Sequence, residues 1–209
     1  YNNINCFYTM FGVITIDDQI NVFPNELNHF SEIHLKDIQN INPRINDPLV
    51  ILRNRINDKY LNKVVKNAGL MIYFVGFDDV DHADIDNDEG GLLFCVTFKM
   101  ISFRPYVGEV IEGVVIDSDS TGLTVSLGFF SDIKIPCNDL REPKSIDSNT
   151  KIWSWDYENH KLCYLIDSTI RFKVSSVVFN DQSHDNSVSS MVVVGNVQND
   201  GLGMISWWS

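Results

Sequence analysis

"GEVIEGVVIDSDSTGLTVSLGFFSDIKIP", residues 108–136, decides how the second half of this chain folds. Leu123, Val125 and Leu127 alternate with Thr124, Ser126 and Gly128, the two-residue period of a strand with one buried and one wetted face. Ile133 and Ile135 then alternate with Asp132 and Lys134. Gly113 stands in the middle of the preceding strand, where a small barrel bends one long strand around two walls. Ser120-Thr121-Gly122 turns the chain into the hairpin, and the corner between its later strands is Gly128-Phe129-Phe130-Ser131. A large apolar pair at such a corner either caps a core or stays outside for a flat partner. For Phe129 and Phe130 individually, three readings stand at this point: core packing, stacking of an RNA base, or contact with another protein.

Working outward, "KIWSWDY" (151–157), "LIDSTIRFKVSSVVF" (165–179) and "MVVVGNV" (191–197) read as further strands, with "DQSHDNSVSS" (181–190) a polar loop. Short strands at this spacing, led by a glycine-bent one, predict a five-stranded Greek-key barrel of the oligonucleotide-binding (OB) type. Trp153 and Trp155 are expected in a core or an interface, and Trp207 and Trp208 are expected to pack back on the barrel or on another chain.

The first half reads differently. Residues 10–24 predict a strand, and "SEIHLKDIQN" a short helix within the Asn-rich segment 25–47. Asp47-Pro48 opens a helix: an aspartate accepts the free first-turn amides, and proline fits the first helical position. Leu49, Leu52, Ile56, Tyr60 and Val64 follow at helical spacing, and the helix is expected to stop near Gly69. "LMIYFVGF" (70–77) predicts a buried strand, the acidic 78–91 a turn or loop, and "LLFCVTFKMISFRPY" (92–106) another strand. The expectation is an α+β chain with domains at 10–106 and 107–209.

The 209 residues are 44% hydrophobic and 21% charged, as in a globular protein, with a net charge of -12. Residues 1–106 hold nine basic against fourteen acidic residues and residues 107–209 seven against fourteen, so neither half is a basic glove for duplex DNA. Contact with nucleic acid would be local, through stacking and a few cations. Cys6, Cys95, Cys137 and Cys163 form no Cys-x-x-Cys pair and read as buried free thiols. No apolar run reaches the ~20 residues of a membrane helix, and the chain reads as intracellular and soluble.

Reactive chemistry finds no foothold. The acidic residues between Asp78 and Glu89 lack the ligand order of a calcium-binding helix-loop-helix, and His82, His29 and His34 lack a zinc-like setting. "DEGGLL" has neither nucleotide-binding spacing, and Gly-x-Ser-x-Gly is absent. No metal, cofactor or catalytic residue is expected. What remains lies on the barrel, where aromatic and basic residues hold single strands: Phe129 and Phe130 at the corner, Lys134 on the polar parity of the third strand, and Arg171 and Lys173 alternating on a later one.

The order "KVVKNAGL", "FKMISFRPYVGEVIEG", "GLTVSLGFFSDIKIP", "IWSWDY" and "GLGMISWW" resembles the stalk subunit of RNA polymerase III, the counterpart of the seventh subunit of polymerase II and of its relative in the archaeal polymerase stalk. Coverage runs from Met10 to Ser209, with residues 25–46 an insertion relative to the family. The resemblance implies a tip domain, a helix plus a curved antiparallel sheet, followed by an OB barrel of the ribosomal S-one type. It also implies a non-catalytic role, an obligate heterodimer with a smaller helical stalk subunit, docking on the polymerase III core, binding of emerging single-stranded RNA, a part in initiation, and nuclear location. By position, Lys63, Val64, Val65, Lys66, Asn67, Ala68 and Gly69 match the family's core-docking tip loop, and Phe103, Arg104 and Pro105 its junction. The alternative from the residues alone is a free-standing OB-fold RNA-binding factor of translation or RNA decay.

Overall fold

The structure, a computed structural model, describes residues 4–5, 10–23, 48–81, 84–85, 91–180 and 189–208. The short helix expected within 25–47, His29, His34, His82, Cys6 and most of the polar loop 181–190 lie outside the described residues. Two compact units divide the chain, Tyr1–Arg104 and Pro105–Ser209.

The first unit is a sheet in the order β1-β2-β6-β4-β3, made of β1 (Ile4–Asn5), β2 (Phe11–Val22), β3 (Val64–Val65), β4 (Gly69–Val80) and β6 (Leu92–Phe103), with β5 (Asp84–Ile85) paired to β6. All its pairings are antiparallel. One face is apolar by the two-residue rule: Ile14, Ile16, Ile20 and Val22 on β2 and Phe94, Val96, Phe98 and Met100 on β6 are buried. Helix α1 (Pro48–Tyr60) covers that face with Leu52 and Ile56, both fully buried. At the helix end Tyr60 donates its hydroxyl to Asp18 at 2.9 Å, and Lys59 pairs with the same carboxylate at 2.7 Å. Burial, then the hydrogen bond to Asp18 and last the Asp18 charge, push the Tyr60 phenol well above its ordinary range.

Two expectations need correction here. The helix stops at Tyr60, not near Gly69, because Asn62 takes a left-handed φ of 58° and turns the chain; Val64, in step with the helical spacing, instead pairs with Leu70 in a strand. The acidic stretch from Asp78 is not all loop. β4 continues to Val80, where Lys99 on β6 pairs with Asp78 at 2.7 Å, and Asp84–Ile85 pairs with Leu92–Leu93.

The second unit is the expected barrel. Its walls are β7 (Val110–Asp119), β8 (Gly122–Ser126), β9 (Ile133–Pro136), β13 (Thr169–Phe179) and β14 (Met191–Asn196), with β15 (Gly203–Met204) added beside β13. β7, β8 and β9 form an antiparallel meander. β9 then pairs parallel with β14, β14 antiparallel with β13, and β13 with β7, which closes the ring in the order of an OB fold. Ile111, Val115, Leu123, Val125, Ile133, Ile135, Phe172 and Val193 fill the interior. Gly113 lies where β7 comes close to β8, and a Cβ there would come within 2.6 Å of Val125 Cγ1. At the β7–β8 turn, Gly122 has φ +147°, and a Cβ there would lie 2.1 Å from the Ile135 carbonyl oxygen.

The tandem-tryptophan segment is not a barrel wall. β10 (Lys144–Ile146), β11 (Trp153–Tyr157) and β12 (His160–Cys163) form a separate three-stranded sheet inserted between the third and fourth barrel strands. Arg141 fastens it. Only 6% exposed, its guanidinium lies 4.4 Å from the Trp155 ring centroid and 5.3 Å from that of Trp208, donates to the Gln198 carbonyl and pairs with Asp200. Trp207 packs against Trp155 and Tyr164, so the closing tryptophans do fold back within this unit. Burial raises the Tyr164 phenol to about 12. Cys95, Cys137 and Cys163 are free thiols, half-buried rather than buried.

Candidate nucleic-acid interface

The corner after β8 separates the two phenylalanines. Leu127 N–H donates to the Phe130 carbonyl at 2.9 Å, Gly128 N–H donates to Ser126 Oγ at 3.0 Å, and Ser126 and Ser131 hydroxyls meet at 3.0 Å. This tight loop points Phe130 inward, at 6% exposure, and Phe129 outward, at 49%. Beside it, the outward positions of β8 and β9 carry hydroxyls and a cation. Thr124 and Lys134 are directly opposed, and Lys134 Nζ donates to Thr124 Oγ1 at 2.7 Å.

The same face continues across β7 in successive rows. Val114 stands opposite Ser126 on one side and Thr169 on the other. A bulge between Val115 and Asp117 turns both Ile116 and Asp117 outward against Thr124, so Val114 and Ile116 are exposed apolar residues beside the hydroxyl row. One row beyond Val114, Arg171 is opposite Glu112 and grips its Oε1 through Nε and Nη2 at 2.9 and 2.7 Å. Its charge is therefore matched in place. Lys173 follows, opposite Val110 and Asn196, exposed and without an ion pair among the described residues. Phe129, Lys134 and the Thr124, Ser126 and Ser131 hydroxyls are thus brought together on the β8–β9 side, with Arg171 and Lys173 further across the same wall.

Sequence parity found Lys134 but missed Val114, Ile116 and the paired serines. The alternation of β7 carried the signal for Val114, whereas the outward turn of Ile116 depends on a bulge that no residue type announces.

In the first unit, the loop Lys63–Gly69 is a tight β3–β4 connection. Asn62 and Asn67 hold left-handed φ values of 58° and 64°, and the Arg104 guanidinium donates to the Asn67 carbonyl. Lys63 Nζ reaches back to the Asp58 carbonyl at 2.7 Å. Ala68 and Gly69 are buried, Val64 and Val65 half-buried, and Lys66 and Asn67 project into solvent.

The sequence that forms these elements is similar to those of known proteins. Residues 109–188 match the family described as RNA polymerase III subunit Rpc25. The DNA-directed RNA polymerase III subunit rpc8 of Schizosaccharomyces pombe is 32% identical over 75% of this chain and 87% of its own length. The bovine RPC8 subunit is 30% identical over 74% of this chain and 85% of its own, and the Dictyostelium discoideum rpc8 subunit 26% identical over 96% and 85%. A more distant similarity, 22% over 74% of this chain, links it to the RNA polymerase II subunit RPB7 of Saccharomyces cerevisiae. With coverage of both units at this identity, the chain belongs to the RPC8 family of RNA polymerase III subunits, as the quoted motifs led one to expect.

Proposed function

We propose that this chain is a non-catalytic stalk subunit of RNA polymerase III that guides the emerging single-stranded RNA along its OB barrel and acts in initiation. The exposure of Phe129 above a row of hydroxyls and Lys134 carries this reading, because a base has a π-face that any exposed ring can stack on, while hydroxyls and an ammonium group meet sugar and phosphate. Phe130 anchors the corner from beneath. Lys173 adds a cation, and Arg171 contributes one once its Glu112 pairing yields to a phosphate. The tip loop Lys63–Gly69 docks on the polymerase core through Lys66 and Asn67. The chain works in the nucleus as a heterodimer with the smaller helical stalk subunit.

The test is fluorescence anisotropy of a labelled single-stranded oligoribonucleotide against the full chain in that heterodimer. Stacking contributes about 1–3 kcal/mol per base, so Phe129→Ala weakens binding roughly 5- to 150-fold without unfolding the barrel. Affinity falls with added salt. Binding that survives Phe129→Ala combined with Lys134→Glu unchanged defeats the proposal.

A further inference from the structure

The residue that leads into β9 carries a charge that folding does not use. The Asp132 carbonyl accepts the Val193 amide at 3.0 Å, so the ladder between β9 and β14 already includes this residue. With Ile133 and Ile135 buried, two-residue alternation puts the Asp132 side chain on the exposed side with Lys134, their Cα atoms about 7 Å apart. Other aspartates of this unit are occupied. Asp117, Asp119 and Asp147 accept backbone amides in their own turns, Asp139 holds the Asn196 side chain, and Asp200 pairs with Arg141. The Asp132 carboxylate has neither a hydrogen bond nor an ion pair among the described residues.

Its neighbours offer donors. Ser126 Oγ accepts the Gly128 amide and shares a bond with Ser131, so whichever serine donates, the other keeps a hydroxyl proton to give. Thr124 Oγ1 accepts from Lys134, which leaves the Thr124 proton available as well. The same serine pair ties the segment between Phe129 and Asp132 to the end of β8, so an ionised acceptor, hydroxyl donors and an exposed ring share one corner.

A carboxylate here repels phosphate, and a ribose 2′-hydroxyl meets it with a single donor. A base edge can do more. Guanine alone presents two adjacent donors on its Watson–Crick edge, N1–H and the N2 amine, which match two carboxylate oxygens, with O6 next in line for a hydroxyl. Adenine and cytosine set a ring-nitrogen lone pair beside their one amine, and uracil flanks its N3–H with two carbonyl oxygens. Each of these brings a lone pair against the carboxylate. We infer that Asp132, given the RNA reading on which this rests, selects guanine as the base stacked on Phe129, with the Ser126 and Ser131 pair donating to O6.

A labelled short oligouridylate, and the same strand with one central guanine, inosine or adenine, are titrated by fluorescence anisotropy against the full chain in its heterodimer. The guanine strand binds about fivefold or more tighter than the adenine strand, the lower end of what a two-bond base contact contributes. Inosine, which lacks only the N2 amine, loses most of that advantage. Asp132→Asn brings the guanine and adenine strands to within about twofold and holds oligouridylate at least as tightly as the natural chain, because a charge that repels phosphate is gone. A purely structural role would weaken every strand alike, and an unchanged thermal melt verifies that the variant is folded. Equal binding of guanine and adenine strands by the natural chain overturns the assignment, as does a guanine preference that survives Asp132→Asn or ignores the change to inosine. In those cases oligouridylate binding that still depends on Phe129 leaves the RNA reading standing. Absence of binding by every strand defeats that reading itself, and the guanine assignment with it.

Discussion

Replacing each corner phenylalanine in turn separates packing from recognition. Phe130 is 6% exposed and plugs the barrel beside the β8–β9 corner, whereas Phe129, one residue earlier, is 49% exposed. Truncating a buried phenylalanine to alanine removes its transfer free energy and leaves a void, a loss of about 3–5 kcal/mol. In a unit of about 100 residues each kcal/mol moves the midpoint by roughly 4 °C or more, so Phe130→Ala lowers the melting temperature by about 12 °C at least. Phe129→Ala removes a surface ring and changes stability by less than about 0.5 kcal/mol, a shift of a few degrees at most. The assay is simple because all four tryptophans, Trp153, Trp155, Trp207 and Trp208, lie in the second unit. Tryptophan fluorescence of the full chain therefore reports the melting of that unit alone. Equal losses for the two variants, or a larger loss for Phe129→Ala, would show that the corner is turned the other way.

Gly122→Ala forces a side chain onto a backbone with φ +147° and within 2.1 Å of the Ile135 carbonyl oxygen, a contact that flexible side chains cannot relieve. The start of β8 must part from β9 at Ile135–Cys137, costing about 2–4 kcal/mol by urea denaturation, and a loss under 1 kcal/mol contradicts this geometry. Asp119 supplies the pH handle. Hydrogen bonds from the Thr121 hydroxyl and then from the Thr121 and Gly122 amides hold its carboxyl below the ordinary range. A lowered value means the stabilisation is whole above about pH 4 and fades as pH falls through the lowered value. The melting-temperature gap between the natural chain and Asp119→Asn thus stays level from pH 7 to about pH 5 and narrows below; a gap that widens in acid refutes the assignment.

The barrel was legible because its core positions recur every second residue. Ile111, Val115, Leu123, Val125, Ile133 and Ile135 are apolar where the pattern says they face inward, and they do. The helix was legible at its start, where Pro48 takes the first helical position while Asp47 lies outside the described residues, but not at its end. Val64 continued the apolar spacing, and only the left-handed turn at Asn62 shows that the pattern had changed partner. The inserted sheet escaped because "KIWSWDY" has the same period as a barrel wall; its neighbours, β10 and β12, are chosen by non-local pairing that periodicity does not encode. At the candidate site, residue type pointed to Phe129 and Lys134, but which phenylalanine faces outward depends on a few loop hydrogen bonds. Arg141 gave no sign of its place, since a lone arginine in "CNDLREP" reads as a solvated charge until two tryptophans from distant segments close over it.

Ring closure by β14 also shapes how the protein is made. The first barrel strand finds its second neighbour only at Thr169–Lys173, and the third waits for Val193 and Val194. Until those late residues emerge during synthesis, Ile133–Pro136 presents an unsatisfied ribbon edge on which foreign strands can template. Chains cut short before Met191 are accordingly expected to aggregate more than the full chain, with closure of the ring resting on distant contacts rather than on local turns.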